Sequence, residues 1–203
     1  MTALLAQIDP YILQILVSIG IGIILALGLT IITGLTGQLS LGHAAFMSIG
    51  AFCSALLTIR LNLPLSVNLV ISGCLSAGVA ALVGWPILRL SGDYLAICTL
   101  GFAEIVKVIF LNLELTNKAL GLTVPTPRTL VPLPLLVWLV AGLMIMATAF
   151  IASSRLGRAL KAIRDDEIAA ESMGINLARY KVQSFAIVGF MAGVGGGLYA
   201  HFI

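Results

Sequence analysis

From Tyr11 to Thr33 the chain runs 23 residues without one charged side chain. At about 1.5 Å per residue a helix of that length reaches about 34 Å, enough to cross the hydrocarbon core of a bilayer. Fourteen of these residues are Leu, Ile or Val, and at about −0.5 kcal/mol each they favour insertion by several kcal/mol. A cleavable leader is the rival reading. No Lys or Arg precedes the run, and the run is longer than an apolar leader core of about 7–15 residues, so it reads as a retained span.

The rest of the chain agrees. Hydrophobic residues make up 60% and charged residues 9%, where soluble domains carry about 25% charge; mean hydropathy is +1.14. Further apolar runs at Leu41–Ile59, Pro64–Leu88, Tyr94–Asn112, Val131–Ala152 and Gln183–Ile203 bring the expected total to six spans. The fold class is therefore all-α, a polytopic helical bundle forming a single transmembrane domain over residues 1–203. Ser72, Ser76, Ala80 and Gly84 form one ridge of small residues, and Gly189, Gly193 and Gly197 form another. Such ridges let helices approach closely where packing, not hydrophobicity, holds spans together.

Ten of the nineteen charges fall between Ser153 and Val182, so the net charge of +3 describes one loop and not a basic surface for nucleic acid. Arg155, Arg158, Lys161, Arg164, Arg179 and Lys181 place that loop in the cytoplasm and the N-terminus outside. Arg89 then joins the cytoplasmic side, while Arg60, Lys118 and Arg128 fall outside. Cys53, Cys74 and Cys98 lie in apolar runs without metal or disulfide spacing and read as packed side chains.

Within the 153–182 loop, Asp165 can cap a helix from Asp166 to Met173, with Asp166 and Glu167 in its first turn. Gly174 suits the left-handed position that ends it, and Asn176 can cap the next helix. So short a helix needs a surface to stay folded, either its own protein or a partner.

Gly34-Leu-Thr-Gly-Gln-Leu-Ser-Leu-Gly-His-Ala-Ala-Phe46, Gly92-Asp-Tyr-Leu-Ala-Ile-Cys-Thr-Leu-Gly-Phe-Ala-Glu-Ile105 and the stretch from Gly157 to Gly174 together resemble the permease subunits of ATP-driven importers for branched-chain and other hydrophobic amino acids. The resemblance runs from about Ile21 onward. It implies a second permease subunit, two ATP-binding subunits, an extracytoplasmic substrate-binding protein, a bacterial inner membrane and no cofactor. It also implies that Arg164, Asp165, Asp166, Glu167, Ala169, Ala170 and Gly174 couple the chain to an ATPase. Ala169, Ala170 and Gly174 keep the importer spacing Glu-Ala-Ala, three residues, Gly; Ile168 stands in the Glu place, with Glu167 one position early. Leu115-Thr-Asn-Lys-Ala-Leu-Gly-Leu122 departs from the Gly-rich stretch of the family, and family members continue beyond the point where Ile203 ends this sequence, so a fragment or a short member is expected.

The translocation route is expected at Gly37, Gln38, Ser40, His43 and Glu104. Gly34 to His43 is rich in Gly, Thr, Gln and Ser without Lys or Arg, and reads as a broken helix facing a cavity, with a short cytoplasmic turn as the alternative. His43 alone is more often a packing residue than a ligand. Glu104 and Lys107 lie one turn apart in the fourth run, at about +3 kcal/mol each to insert. They form either a mutually satisfied ion pair, the favoured reading, or leave a carboxylate to meet a substrate ammonium. No metal, zinc-hydrolase or phosphate-loop spacing occurs, and Ser40, Ser48 and His43 fit no nucleophile elbow. Two alternatives stay open: a urea or amide importer permease, and an ion-coupled secondary transporter using Glu104.

Overall fold

The computed structural model describes residues 10–88, 90, 92–125 and 132–202. Arg89 and Arg128, and the expected span ends at Val131 and Ile203, lie outside the described residues. Long helices are α1 (Pro10–Leu29), α2 (His43–Leu61), α3 (Leu65–Ile87), α4 (Asp93–Asn112), α5 (Leu133–Ser153) and α8 (Leu177–Ala200); α6 (Arg155–Asp165) and α7 (Glu167–Ser172) are short. All six long helices are long and apolar enough to cross a membrane. The chain is thus an all-α, multi-pass membrane protein, and the 19 residues of α2 reach about 28 Å, close to the thickness of a bilayer core.

The ends of these helices follow from local chemistry. Asn62, at φ 50°, closes α2, and Pro64 precedes α3. Prolines at 132 and 134 open α5, where a missing N–H costs nothing. The last span starts at Leu177, six residues before the expected Gln183, because the Asn176 side chain accepts from the Arg179 N–H at 3.0 Å and caps the helix there. Its polar first turns, with Arg179 and Lys181, are helical although they are not apolar.

Helix α8 is the axis of the bundle and packs most extensively on α3, then on α2 and α1, while α5 leans on α1 and α4 on α2. The two small-residue ridges mate: a side chain at Gly189 would strike Ala80, and one at Gly193 would strike Ser76. On its other side α8 meets α2 backbone to backbone, so that side chains at Gly50 and Gly196 would collide with the carbonyls of Gly193 and Met47. Close approach multiplies dispersion contacts, the main attraction available between helices in lipid. Phe46 fills the centre, edge-on to Phe185 at 5.3 Å and tilted on Phe102 at 5.6 Å.

The connections after α1, α3 and α5 gather at one end, where Gly37, Gln38, Gly92, Asp93, Glu167 and Lys181 line a common cleft. At the other end Asn68 Nδ2 donates to Thr58 Oγ1 at 2.8 Å, and Thr58 Oγ1 lies 2.8 Å from His201 Nε2. Six alternating crossings require this sorting of the connections.

Candidate functional site

The charged loop folds into two helices, α6 and α7. Ser154 caps α6 by accepting from Gly157 N–H at 3.3 Å, and Gly157 turns so tightly under α5 that any side chain there would strike the Ile151 and Ala152 carbonyls. Ala159, Leu160 and Ile163 are buried, while Arg155, Arg158 and Lys161 face outward. Sequence reasoning missed this helix, although its apolar residues recur at helical spacing between the basic ones.

Asp165, expected as the cap of the docking helix, instead ends α6. The cap is Asp166, whose Oδ1 accepts from the N–H groups of Ile168 and Ala169 at 2.8 and 3.0 Å. Two adjacent aspartates compete for one position, and Asp166 has the extended backbone, φ −159°, that a cap requires. Helix α7 accordingly runs from Glu167 to Ser172 and not from Asp166 to Met173. Gly174 has φ +83°, and Ile175 N–H reaches back to the Ala170 carbonyl at 3.1 Å, closing the helix end.

Ion pairs fix α7 and its neighbours to the bundle. Lys181 Nζ, on α8, donates to Glu167 Oε1 at 2.6 Å, and the lysine side chain is only 5% exposed. Glu167 therefore turns inward, leaving Asp165 and Glu171 outward. Arg164 lies 3.7 Å from the Asp165 carboxylate and donates from a terminal guanidinium nitrogen to the Gly34 carbonyl at 2.7 Å. Ala170 is buried and Ala169 exposed, and Ile168 and Met173 are 80% and 83% exposed. The short helix is anchored from below and turns two large apolar side chains, Ile168 and Met173, outward beside Glu171.

Thr36 to Gly42 is the non-helical connection between α1 and α2, which has the form of a short turn joining two spans. A π-helical turn, Thr30–Leu35, carries α1 into it, Gln38 N–H bonds back to Ile32 O at 3.1 Å, and Thr99 Oγ1 of α4 accepts from Leu41 N–H at 3.1 Å. Gly37 takes φ +70°, with the Arg164 stem packed where a side chain would stand. Thr36, Gln38 and Ser40 are buried. Gln38 borders a small cavity of about 140 Å³ with Asp93, Glu167 and Lys181, and its Oε1 has no hydrogen-bond partner. His43 begins α2 and packs its ring against Gly28.

Glu104 lies elsewhere, in α4, with its Oε2 accepting from Lys107 Nζ at 3.2 Å. Both border a cavity of about 320 Å³ against α2. The five residues expected along a route therefore fall into three places: Gly37, Gln38 and Ser40 at the connection end, His43 packed inside, and Glu104 on the α2–α4 face.

The profile described as the branched-chain amino acid transport system permease component matches residues 11–203. The high-affinity branched-chain amino acid transport system permease proteins LivM of Salmonella typhimurium and Escherichia coli are each 38% identical over 88% of this chain and 49% of their own length. LivH of Salmonella typhimurium, also named a permease protein of that system, is 27% identical over 88% of this chain and 66% of its own length. The chain spans about half the length of the LivM relatives it matches. No solved structure gives a significant match.

Proposed function

The chain belongs to the family of permease components of branched-chain amino acid transport systems, and from that premise we propose that it is a membrane-spanning subunit of an ATP-driven importer for branched-chain or other neutral amino acids. It forms part of a single transmembrane domain in a bacterial inner membrane. It works with a second permease subunit, two ATP-binding subunits that hydrolyse ATP, and an extracytoplasmic substrate-binding protein. The observation that carries this reading is α7: a two-turn helix capped at both ends, pinned by Lys181, with Ile168 and Met173 turned outward at 80% and 83% exposure. A helix this short has little stability of its own, so an apolar surface held this rigidly suits a partner that pushes on it.

In this reading residues 153–182 form the cytoplasmic coupling loop. Asp166 and Gly174 define the ends of α7, Ala169 and Glu171 face the ATP-binding subunit, and Ala170 seats the helix. Arg164 and Glu167 carry displacement inward. Arg164 grips the carbonyl of Gly34 and packs on Gly37, next to Gln38 and Ser40 in the α1–α2 connection, while Glu167 grips Lys181 of α8. An ion-coupled carrier, the second reading, would use Glu104 as an exchanging carboxylate and would follow the proton gradient.

The test is the energy source. In vesicles carrying the complete assembly, leucine uptake should persist when the proton gradient is collapsed and stop when ATP is removed. Uptake that follows the proton gradient would overturn the reading.

A further inference from the structure

Glu104 is the twelfth of twenty residues in α4 and Lys107 the fifteenth, so at about 1.5 Å per residue the carboxylate stands close to the middle of the helix, about 12 Å from its Asn112 end. Burial in protein does not shelter either charge: the Lys107 and Glu104 side chains are 64% and 60% exposed. Turning such groups to lipid at this depth costs about 2.5–3.5 kcal/mol each on the insertion scale. The face of α4 that carries them therefore belongs to a polar route or a protein contact and not to the lipid boundary.

That face looks onto α2. The cavity of about 320 Å³ beside the pair is closed on the α2 side by Ala44, Ser48 and Phe52, and Phe52 stacks on Phe110 of α4 at 4.4 Å. A second cavity of about 360 Å³ shares Ala44, Ser48 and Phe52 and reaches Tyr199 and Ala200 at the far end of α8. Its surface is mainly apolar. The two spaces form a largely apolar path along α2 with Glu104 and Lys107 at its edge and a second ammonium, Lys118, at the rim, where Glu114 lies 3.7 Å from it; their volumes stand at the lower end of the roughly 300–1,000 Å³ typical of small-molecule sites.

We propose that Glu104 and Lys107 form a counter-zwitterion site, which holds a free α-amino acid in transit through its ammonium on Glu104 and its carboxylate on Lys107, with an uncharged aliphatic side chain against Ala44, Ser48 and Phe52. The inference rests on the importer reading above and names the substrate class that this face recognises. A pair with opposite charges one helical turn apart presents the mirror of a zwitterion's charge order. Without substrate the two groups satisfy each other, which limits the cost of the empty state. With substrate, two charge-assisted contacts replace one pair, so the ligand is held without a strong net charge and can leave.

The experiment uses the complete assembly in lipid vesicles. Unaltered assembly must first show ATP-driven leucine uptake; if it does not, the importer reading fails, whatever the pair does. The double variant Glu104→Gln with Lys107→Met removes both charges and leaves no unpaired one. The double variant Glu104→Lys with Lys107→Glu keeps an ion pair but inverts its order. Both should retain abundance, assembly and ATP hydrolysis stimulated by the loaded binding protein, while the leucine uptake rate falls about tenfold or more. Normal uptake in either abundant variant would overturn the site and leave a structural pair. Loss of assembly in the neutral variant, with the inverted variant assembling and transporting normally, would overturn it in favour of a contact between subunits.

Discussion

Lys181 and Glu167 meet at 2.6 Å where the lysine side chain is 5% exposed, whereas Lys107 and Glu104 meet at 3.2 Å with well over half of each side chain open. The chemistry is the same and the surroundings are opposite. Lys181 belongs to α8, the most enclosed of the six spans, and Lys107 to α4, one of the two least enclosed. An enclosed pair acts as a rivet, because breaking it strands a charge in low dielectric. An open pair is free to change partners, since water or a ligand can replace either contact. The bundle thus divides into a dense part around α8 and a looser α2–α4 face, which in the proposed function would respectively transmit force and make room for the substrate.

The sharpest way to break that division is through glycines. Gly196→Leu on α8 would drive a side chain into the Met47 carbonyl of α2, and backbone cannot yield as a flexible side chain can. Little folded protein should remain, as read by abundance and by size-exclusion profile in detergent. Gly101→Leu on α4 meets nothing within 4 Å and should leave both near normal. Similar loss from both variants would show that α4 is packed as tightly as α8.

The pairs themselves give the next largest contrast. Glu167→Ala strands the enclosed Lys181 charge and should cost about 3 kcal/mol of stability. Lys181→Met removes the buried charge and leaves Glu167, 44% exposed, facing water, at about 1 kcal/mol. Glu104→Gln leaves Lys107 in the open cavity and should cost less than about 1 kcal/mol. Thermal unfolding of the purified assembly should rank the three in that order, and a cost at Glu104 as large as at Glu167 would mean that its face meets lipid.

The dense part was more legible in the sequence than the open face. Uncharged runs of about twenty residues can only be spans, and the ridges at 72–84 and 189–197 were visible separately. That they pack on each other was not, because periodicity shows which residues share a face and not which face a neighbour meets. The cap was misplaced by one residue because Asp165 and Asp166 are chemically equal, and only backbone geometry separates them. Helix α6 was hidden by its Arg and Lys content, which reads as loop until Ala159, Leu160 and Ile163 are seen to share one side. The Glu167–Lys181 contact joins residues fourteen apart across a turn, beyond any helical spacing. The Glu104–Lys107 pair, at i and i+3, was open to inspection, but the cavity beside it depends on how α2 and α4 diverge.

A smaller effect separates coupling from folding. Gly174→Val places a β-branched residue at φ +83°, at a cost of about 1–2 kcal/mol, with nothing nearby to clash. The bundle should assemble normally, while α7 loses its closed end and ATP hydrolysis proceeds with leucine uptake reduced several-fold. Gly78→Val, within α3 and equally open, adds the same side chain without that strain and should leave the ratio of uptake to hydrolysis unchanged. If both variants uncouple, or neither does, α7 has no special place in transmission.

The smallest expected change concerns how the two parts are joined. Thr99 is buried in α4, and its hydroxyl donates to the Ala96 carbonyl at 3.0 Å while accepting from the Leu41 N–H at 3.1 Å. It thereby ties the α1–α2 connection, which Arg164 grips from below, to the helix that carries Glu104 and Lys107. Thr99→Val keeps the shape and removes the acceptor, at a cost of about 1 kcal/mol. Thermal stability should drop only slightly, but hydrogen exchange at Leu41 and its neighbours should quicken, because their amide protection depends on that contact. Uptake should fall by more than stability does if movement at Arg164 reaches α4 through this bond. Unchanged uptake with faster exchange would assign transmission to the Glu167–Lys181 link and α8 alone.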